Sequence, residues 1–124
     1  MAKKILLVED EEDVLKTLKL ILTKEGFSVD CAQDGVMALN KLRQEKFDLI
    51  VLDLMLPKWD GFKLCKLLKQ DIKYKTTPLL ILTAKTQESD RERCLAYGAD
   101  EFMTKPFNPD ELIDKIKQLS KINP

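Results

Sequence analysis

The chain has 124 residues, 44% of them hydrophobic, and its 21 basic residues balance its 21 acidic ones for a formal net charge of +0. That length suits one domain with a real core, and the balance argues against a general nucleic-acid or membrane binder, which needs a basic excess on at least one face. With no histidine and three scattered cysteines, Cys31, Cys65 and Cys94, the composition also disfavours a zinc site, a disulfide framework and histidine acid–base catalysis. The cysteines read as small core or near-surface hydrophobes. No apolar run reaches membrane-spanning length and Met1-Ala2-Lys3-Lys4 leads directly into a strand, so the expectation is a soluble, reduced, cytoplasmic protein.

In chain order, "KILLVED" opens with a short apolar run that reads as a buried strand. Val14, Leu15, Leu18, Ile21 and Leu22 then share one helical face, and Gly26 ends that helix. Phe27, Val29 and Cys31 alternate with Ser28 and Asp30, the pattern of a strand nearer a sheet edge. Gly35 opens a second helix in which Ala38, Leu39 and Leu42 share a face. Leu49 to Leu52 is the most continuous apolar run, fit for a central parallel strand covered on both faces, and it stops at Asp53. "PKWDG" carries turn chemistry, after which Phe62, Cys65, Leu68 and Ile72 follow a helical period. Pro78 precedes a fourth buried strand, "LLILT". Gln87 to Tyr97 reads as helix ending at Gly98, and "EFMTK" as a short fifth strand. Asn108-Pro109-Asp110-Glu111 opens the last helix, with Asn at the N-cap and Pro at the first helical position.

Five strand–helix units with short loops and no linker, repeat or low-complexity segment predict an α/β layer fold with a parallel sheet. Such sheets place their sites just past the carboxyl ends of the strands. Past the first strand stand Glu9 and Asp10, past the third Asp53, past the fourth Thr83 and Ala84, and past the fifth Lys105 and Pro106. If these ends converge, three carboxylates, one hydroxyl and one ammonium meet. That is the donor set of a hard cation such as Mg²⁺, with one compensating positive charge. Asp10 and Asp53 can bind such an ion directly and Glu9 through water. Beside a metal, an aspartate can act as nucleophile toward a phosphoryl group. Glu11, Glu12 and Asp13 read differently: they fall in the first turn of a helix, where the helix dipole favours acids, and Glu12 can pair with Lys16.

Four segments, "LLVEDE", "DLIVLDLMLPKWDG", "PLLILTA" and "GADEFMTKPF", occur in this order and at the spacing of the receiver domains of two-component response regulators, a family that the chain resembles over roughly residues 3–120. The resemblance implies a single receiver domain over residues 1–124, with 121–124 a tail or the start of a linker. It implies a doubly wound (βα)5 fold with five parallel strands in the order 2-1-3-4-5 and helices on both faces. It also implies the roles of the site residues. Asp53 is the phosphoacceptor. Asp10, Asp53 and the backbone carbonyl of Met55 hold Mg²⁺, with Mn²⁺ as an alternative, and Glu9 acts through water. Thr83 is the switch hydroxyl, Lys105 holds the phosphoryl group, and Ala84 and Pro106 line the site. The Lys105–Pro106 peptide is expected to be cis. Phe102 takes the switch-aromatic position, where many receivers carry tyrosine. Met55 and Lys85 occupy positions that tune hydrolysis of the phosphoryl group, and Trp59 flanks the site as a fluorescence reporter.

The implied function is that of a phosphorelay switch, not a turnover enzyme. A sensor histidine kinase or phosphotransfer protein supplies the phosphoryl group to Asp53, and the domain catalyses only its own phosphorylation and dephosphorylation. The last two units look like those of receivers attached to winged-helix transcriptional regulators. In that group the fourth helix, fifth strand and fifth helix form a symmetric dimer face, whose candidates here are Arg91, Asp100, Glu101, Glu111 and Lys115. No direct contact of this chain with nucleic acid or membrane is expected. Two rivals fit less well. A phosphatase with an aspartyl nucleophile needs a second aspartate where Met55 stands. A flavodoxin-like FMN carrier needs a phosphate-binding loop where Glu9 to Asp13 would repel the ligand.

Overall fold

The computed structural model describes residues 2–85 and 87–121. Elements alternate throughout: β1 (Lys4–Val8), α1 (Glu12–Lys24), β2 (Ser28–Ala32), α2 (Gly35–Gln44), β3 (Leu49–Leu52), α3 (Gly61–Gln70), β4 (Leu79–Thr83), α4 (Glu88–Tyr97), β5 (Glu101–Thr104) and α5 (Pro109–Ser120). All strand pairs are parallel and the order is β2-β1-β3-β4-β5, as expected. The expected tail beyond Lys121 lies outside the described residues.

The strands read as continuous apolar runs because both of their faces are covered. Leu6, Val8, Ile50, Leu52, Leu79, Ile81 and Phe102 point to one side and pack with Ala38, Leu64, Leu68 and Cys94 of α2, α3 and α4. Ile5, Leu7, Leu49, Val51, Leu80, Leu82 and Met103 point to the other, against Leu15, Leu18 and Leu22 of α1 and Leu112, Ile116 and Leu119 of α5. This period-two division puts α1 and α5 on one face of the sheet and the other three helices opposite. The edge strand β2 is the least buried of the five, with only Ala32 fully covered, in line with its alternating sequence. Among the described residues no helix is long and apolar enough to cross a membrane.

Local chemistry sets the element ends. The Asp34 carboxylate caps α2 by accepting the Met37 N–H, Asp60 caps α3 at the Phe62 N–H, and Asn108 caps α5 at the Asp110 and Glu111 N–H groups. Gly26 (φ 92°) and Gly98 (φ 110°) take the left-handed conformation that closes α1 and α4.

The structure departs from the sequence reading at Ile72 and at Gly61. Ile72 does not join the α3 face: the helix stops at Gln70, Asp71 accepts the Lys73 N–H, and Ile72 is 80% exposed. Gly61 is not a turn residue but the first residue of α3. A β-carbon there would lie 2.3 Å from the Cα of Leu54, so only glycine lets the helix start against the chain that leaves β3. Gly35 meets the same kind of constraint, since a β-carbon on it would lie 2.5 Å from the Cβ of Trp59. Trp59 thus packs over the start of α2 and against the core.

Candidate functional site

The strand ladders continue one step past the strands and fix the residues that follow. The Glu9 N–H donates to the Ala32 carbonyl (3.0 Å), the Asp53 N–H to the Val8 carbonyl (3.0 Å), and the Lys105 N–H to the Thr83 carbonyl (2.9 Å). Residues far apart in sequence are therefore held at one end of the sheet by backbone bonds, before their side chains interact.

There the expected residues meet. One oxygen from each of Glu9, Asp10 and Asp53 lies within 4.8 Å of the others. Lys105 Nζ bridges two of these acids, donating to Asp53 Oδ2 at 3.0 Å and to Glu9 Oε1 in a shorter contact. The remaining oxygens are also engaged: Glu9 Oε2 accepts the Glu11 N–H (3.0 Å) and Asp53 Oδ1 accepts the Met55 N–H (3.0 Å). Glu9 and Asp53 are only 3% and 4% exposed, whereas Asp10 faces solvent. The sequence run Glu9 to Asp13 thus divides after its first member, which turns into the sheet end.

Burial pushes the Glu9 carboxyl above the usual carboxylate range, against the opposing hydrogen bond from Lys105. Burial also works against the charge on Lys105. The hydrogen bonds and charges of Glu9 and Asp53 together outweigh it and hold the ammonium above its ordinary value. One ammonium therefore stands between two buried carboxylates, with a third carboxylate at the rim.

The set passes the chemical test for a hard divalent cation. The three candidate ligand atoms are all carboxylate oxygens, and lying within 4.8 Å of one another they are close enough to share one ion. Asp10, the donor with no partner among the described residues, sits on the solvent side, where an ion that keeps several waters would enter.

The other expected residues surround this centre. Thr83 is fully buried at the end of β4, and its Oγ1 accepts the Lys85 N–H at 3.3 Å. Ala84 beside it is exposed, as is Met55. The Lys105–Pro106 peptide is cis. Phe102 is 5% exposed, so its ring already belongs to the core and does not wait outside it.

Four of the five charged residues assigned to the face of α4, β5 and α5, Arg91, Asp100, Glu101 and Lys115, engage partners within the chain. Lys115 pairs with Glu101 (3.2 Å) and Arg91 with Glu88 (3.9 Å). Asp100 turns toward α3, where it accepts from Lys69 Nζ (3.0 Å) and the Leu79 N–H (2.8 Å). Arg91, Phe102, Pro106 and Glu111 line one cavity of about 300 Å³ between these three elements.

Sequence reasoning missed two features near the site. Lys58, at φ 68°, reaches Asp34 at 3.5 Å and ties the loop after β3 to the start of α2. Phe62 carries two cations on its ring, Arg93 and Lys85. Neither has a local sequence signal, because each joins segments that are distant in the chain.

A family model described as "Response regulator receiver domain" matches residues 5–117. The chain is 48% identical over 119 residues to the alkaline phosphatase synthesis transcriptional regulatory protein PhoP of Bacillus subtilis, covering 96% of this chain and 49% of that protein. It is 40% identical over 120 residues to the response regulator ArlR of Staphylococcus aureus, covering 97% of this chain and 53% of that one. The chain thus spans about half the length of these relatives. Among solved structures it resembles the chemotaxis response regulator CheY4 of Vibrio cholerae, with TM-score 0.88, 32% identity and coverage of 96% and 99% of the two chains. It also resembles the receiver domain of a sensor histidine kinase from Pseudomonas aeruginosa with a magnesium ion coordinated in its active-site cleft. There the TM-score is 0.88, the identity 28% and the coverage 98% and 99%.

Proposed function

The chain belongs to the response regulator receiver family, the signalling switches of two-component systems, and from that premise we propose that Asp53 accepts a phosphoryl group from a phosphohistidine on a partner kinase or phosphotransfer protein. The observation that carries this reading is the bridge from Lys105 to both Asp53 and Glu9, with Asp10 completing the acidic set. The cation we propose is Mg²⁺, held by Asp10, Asp53 and the Met55 carbonyl, with Glu9 acting through water. When bound, it supplies positive charge against the phosphoryl oxygens during in-line transfer.

The chain's own residues do the rest. An Asp53 carboxylate oxygen attacks phosphorus as the bond from phosphorus to the histidine nitrogen breaks, and the electron pair leaves with the imidazole. Lys105 is already at Asp53 and can follow the added charge, giving up part of its contact with the carboxylates for a phosphoryl oxygen. The Thr83 hydroxyl accepts the Lys85 N–H and still has a proton to donate to the phosphoryl group. Phe102 would then shift within the core beside β5, and the face formed by α4, β5 and α5 would change. We propose that face for a partner or a second copy. A dimer through it would use Arg91, Asp100, Glu101, Glu111 and Lys115, of which Arg91, Asp100, Glu101 and Lys115 now pair within the chain. The place of action in this reading is the cytoplasm.

Acetyl phosphate with Mg²⁺ should add one phosphoryl mass to the chain in base-labile form, and Asp53→Asn should abolish the addition. Undiminished modification of the Asn variant would move the acceptor elsewhere.

A further inference from the structure

The most weakly packed helix lies beside the site. Of the α4 residues only Cys94 is buried, and the Gln87 side chain makes no cap hydrogen bond at its start. A helix without an apolar stripe gains little from burial and must be held by something else. The Phe62 ring supplies a holding point. Phe62 is in the first turn of α3 and 6% exposed, so its ring is fixed by the core. The Arg93 guanidinium of α4 stacks on that ring with 4.1 Å between its central carbon and the ring centroid. Arg93 is steered there by Tyr97, whose hydroxyl accepts the Arg93 Nε–H at 3.0 Å. The same ring takes a second cation, Lys85 Nζ, at 5.6 Å. Lys85 belongs to the loop between β4 and α4, and its backbone N–H donates to the buried Thr83 hydroxyl oxygen.

We infer that Phe62 is a positioning residue that ties α4 to the loop carrying Thr83, by seating Arg93 and Lys85 on one ring. The electrostatics give this arrangement direction. Two cations on one small ring repel each other, and each is attracted to any new anion nearby. A phosphoryl group at Asp53 adds negative charge close to Thr83 and draws the Lys85 loop toward it. As Lys85 leaves the ring, the seat of Arg93 changes, and with it the fit of α4 on α3. This coupling step rests on the reading of Asp53 as phosphoacceptor; the shared seat itself does not.

Amide hydrogen exchange on the unmodified, metal-free protein tests the seat. Arg93→Met keeps the side-chain length and removes the charge at an exposed position, so the fold is not at risk. It should lower protection of the α4 amides about two- to fivefold, the range of an exposed cation–aromatic contact, and leave those of α1 and α5 unchanged. Phe62→Leu should lower the α4 protection at least as much. In the Phe62→Leu background, Arg93→Met should add no further loss. Upfield ring-current shifts of the Arg93 side-chain protons should be present in the native protein and in Phe62→Tyr. They should fall in Phe62→Leu to the smaller contribution of the Tyr97 ring, whose centroid lies 5.7 Å from the guanidinium carbon. Additive losses, or Arg93 shifts undiminished in Phe62→Leu, would overturn the shared seat.

Beryllofluoride with Mg²⁺, a phosphoryl mimic, tests the coupling. The native protein should change its α4 protection on binding, and Phe62→Leu should bind, as read from Trp59 fluorescence, without that change. A retained change in Phe62→Leu would overturn the coupling. No binding by the native protein would instead overturn the phosphoacceptor reading, and the coupling with it, while the exchange result still decides the shared seat.

Discussion

Replacing Gly61 with alanine is the sharpest test of how the fold builds the site. An alanine β-carbon would sit 2.3 Å from the Cα of Leu54, 2.5 Å from its carbonyl oxygen and 2.7 Å from its carbonyl carbon. Ordinary contacts between such atoms begin near about 3.4 Å, so the overlap is about 1 Å with each of three backbone atoms. No side chain can rotate away, and the Gly61 N–H donates to that same carbonyl at 3.2 Å. Overpacking by one carbon typically costs about 1–3 kcal/mol, and a weakened hydrogen bond adds about 1 kcal/mol. The expected loss is therefore about 2–4 kcal/mol. For 124 residues each kcal/mol moves Tm by about 4 °C, so the drop should be about 8–16 °C. Gly26→Ala is the internal control, because that β-carbon meets nothing within 4 Å and bears only the strain of φ 92°, about 1–2 kcal/mol. Thermal unfolding followed by circular dichroism compares the two variants directly. A Gly61→Ala drop no larger than that of Gly26→Ala would refute the close-approach argument. Divalent-cation affinity should fall with the first variant only, since Leu54 follows Asp53 directly.

Three further outcomes follow from the same geometry. Asn108→Ala removes the acceptor for two N–H groups of α5 and should cost about 1 kcal/mol, lowering Tm by about 4 °C; Asn108→Asp should cost little. Lys69→Met leaves the Asp100 carboxylate and the Thr77 carbonyl without their ammonium, and chemical denaturation should show a loss of about 2 kcal/mol. That is less than for a fully buried pair, because the Asp100 side chain keeps 33% exposure. The Asp34 carboxyl is held below the usual aspartate value by the Met37 N–H, with Lys58 adding to the effect. A lowered value in the folded state means stability that is present above the ordinary aspartate range and lost as the pH falls through the folded value. The Tm gap between the native protein and Asp34→Ala should thus be full at neutral pH and shrink in acid, and a gap independent of pH would count against the cap.

The layer order and the centre of the site were legible in the sequence, because both follow from local rules. Runs such as Leu49 to Leu52, short and bounded by polar residues, fit strands covered on both faces, and in a parallel sheet the residues that follow such strands gather at one edge. What escaped was non-local or decided by a single competing bond. The helical period over Phe62, Cys65 and Leu68 continues to Ile72, yet the Asp71 carboxylate takes the Lys73 N–H and the backbone turns away at ψ 129°. Gly61 looks like a turn former until the distant atoms of Leu54 are placed against it, and no sequence signal shows that Trp59 packs over Gly35 at the start of α2. Arg93 reads as one more surface charge until its ring partner appears on α3.

The acidic stretch after β1 shows why the site is stable enough to form and still open to a cation. Asp10 to Asp13 are exposed, so water screens most of their mutual repulsion, and Glu12 and Asp13 also favour the start of α1. Glu9 and Asp53 lack that screening, and Lys105 takes its place at hydrogen-bond distance from Asp53 while also holding Glu9. One positive charge against two buried negative ones leaves the centre short of a cation, and Asp10 at the rim deepens the deficit. A lysine alone therefore makes the fold tolerable, while a divalent ion still gains from binding beside it. In the proposed reading, a phosphoryl group added at Asp53 would meet charges that are already shared. Lys105 is held by two carboxylates and Lys85 lies on an aromatic ring, so each would have to leave a partner to answer it.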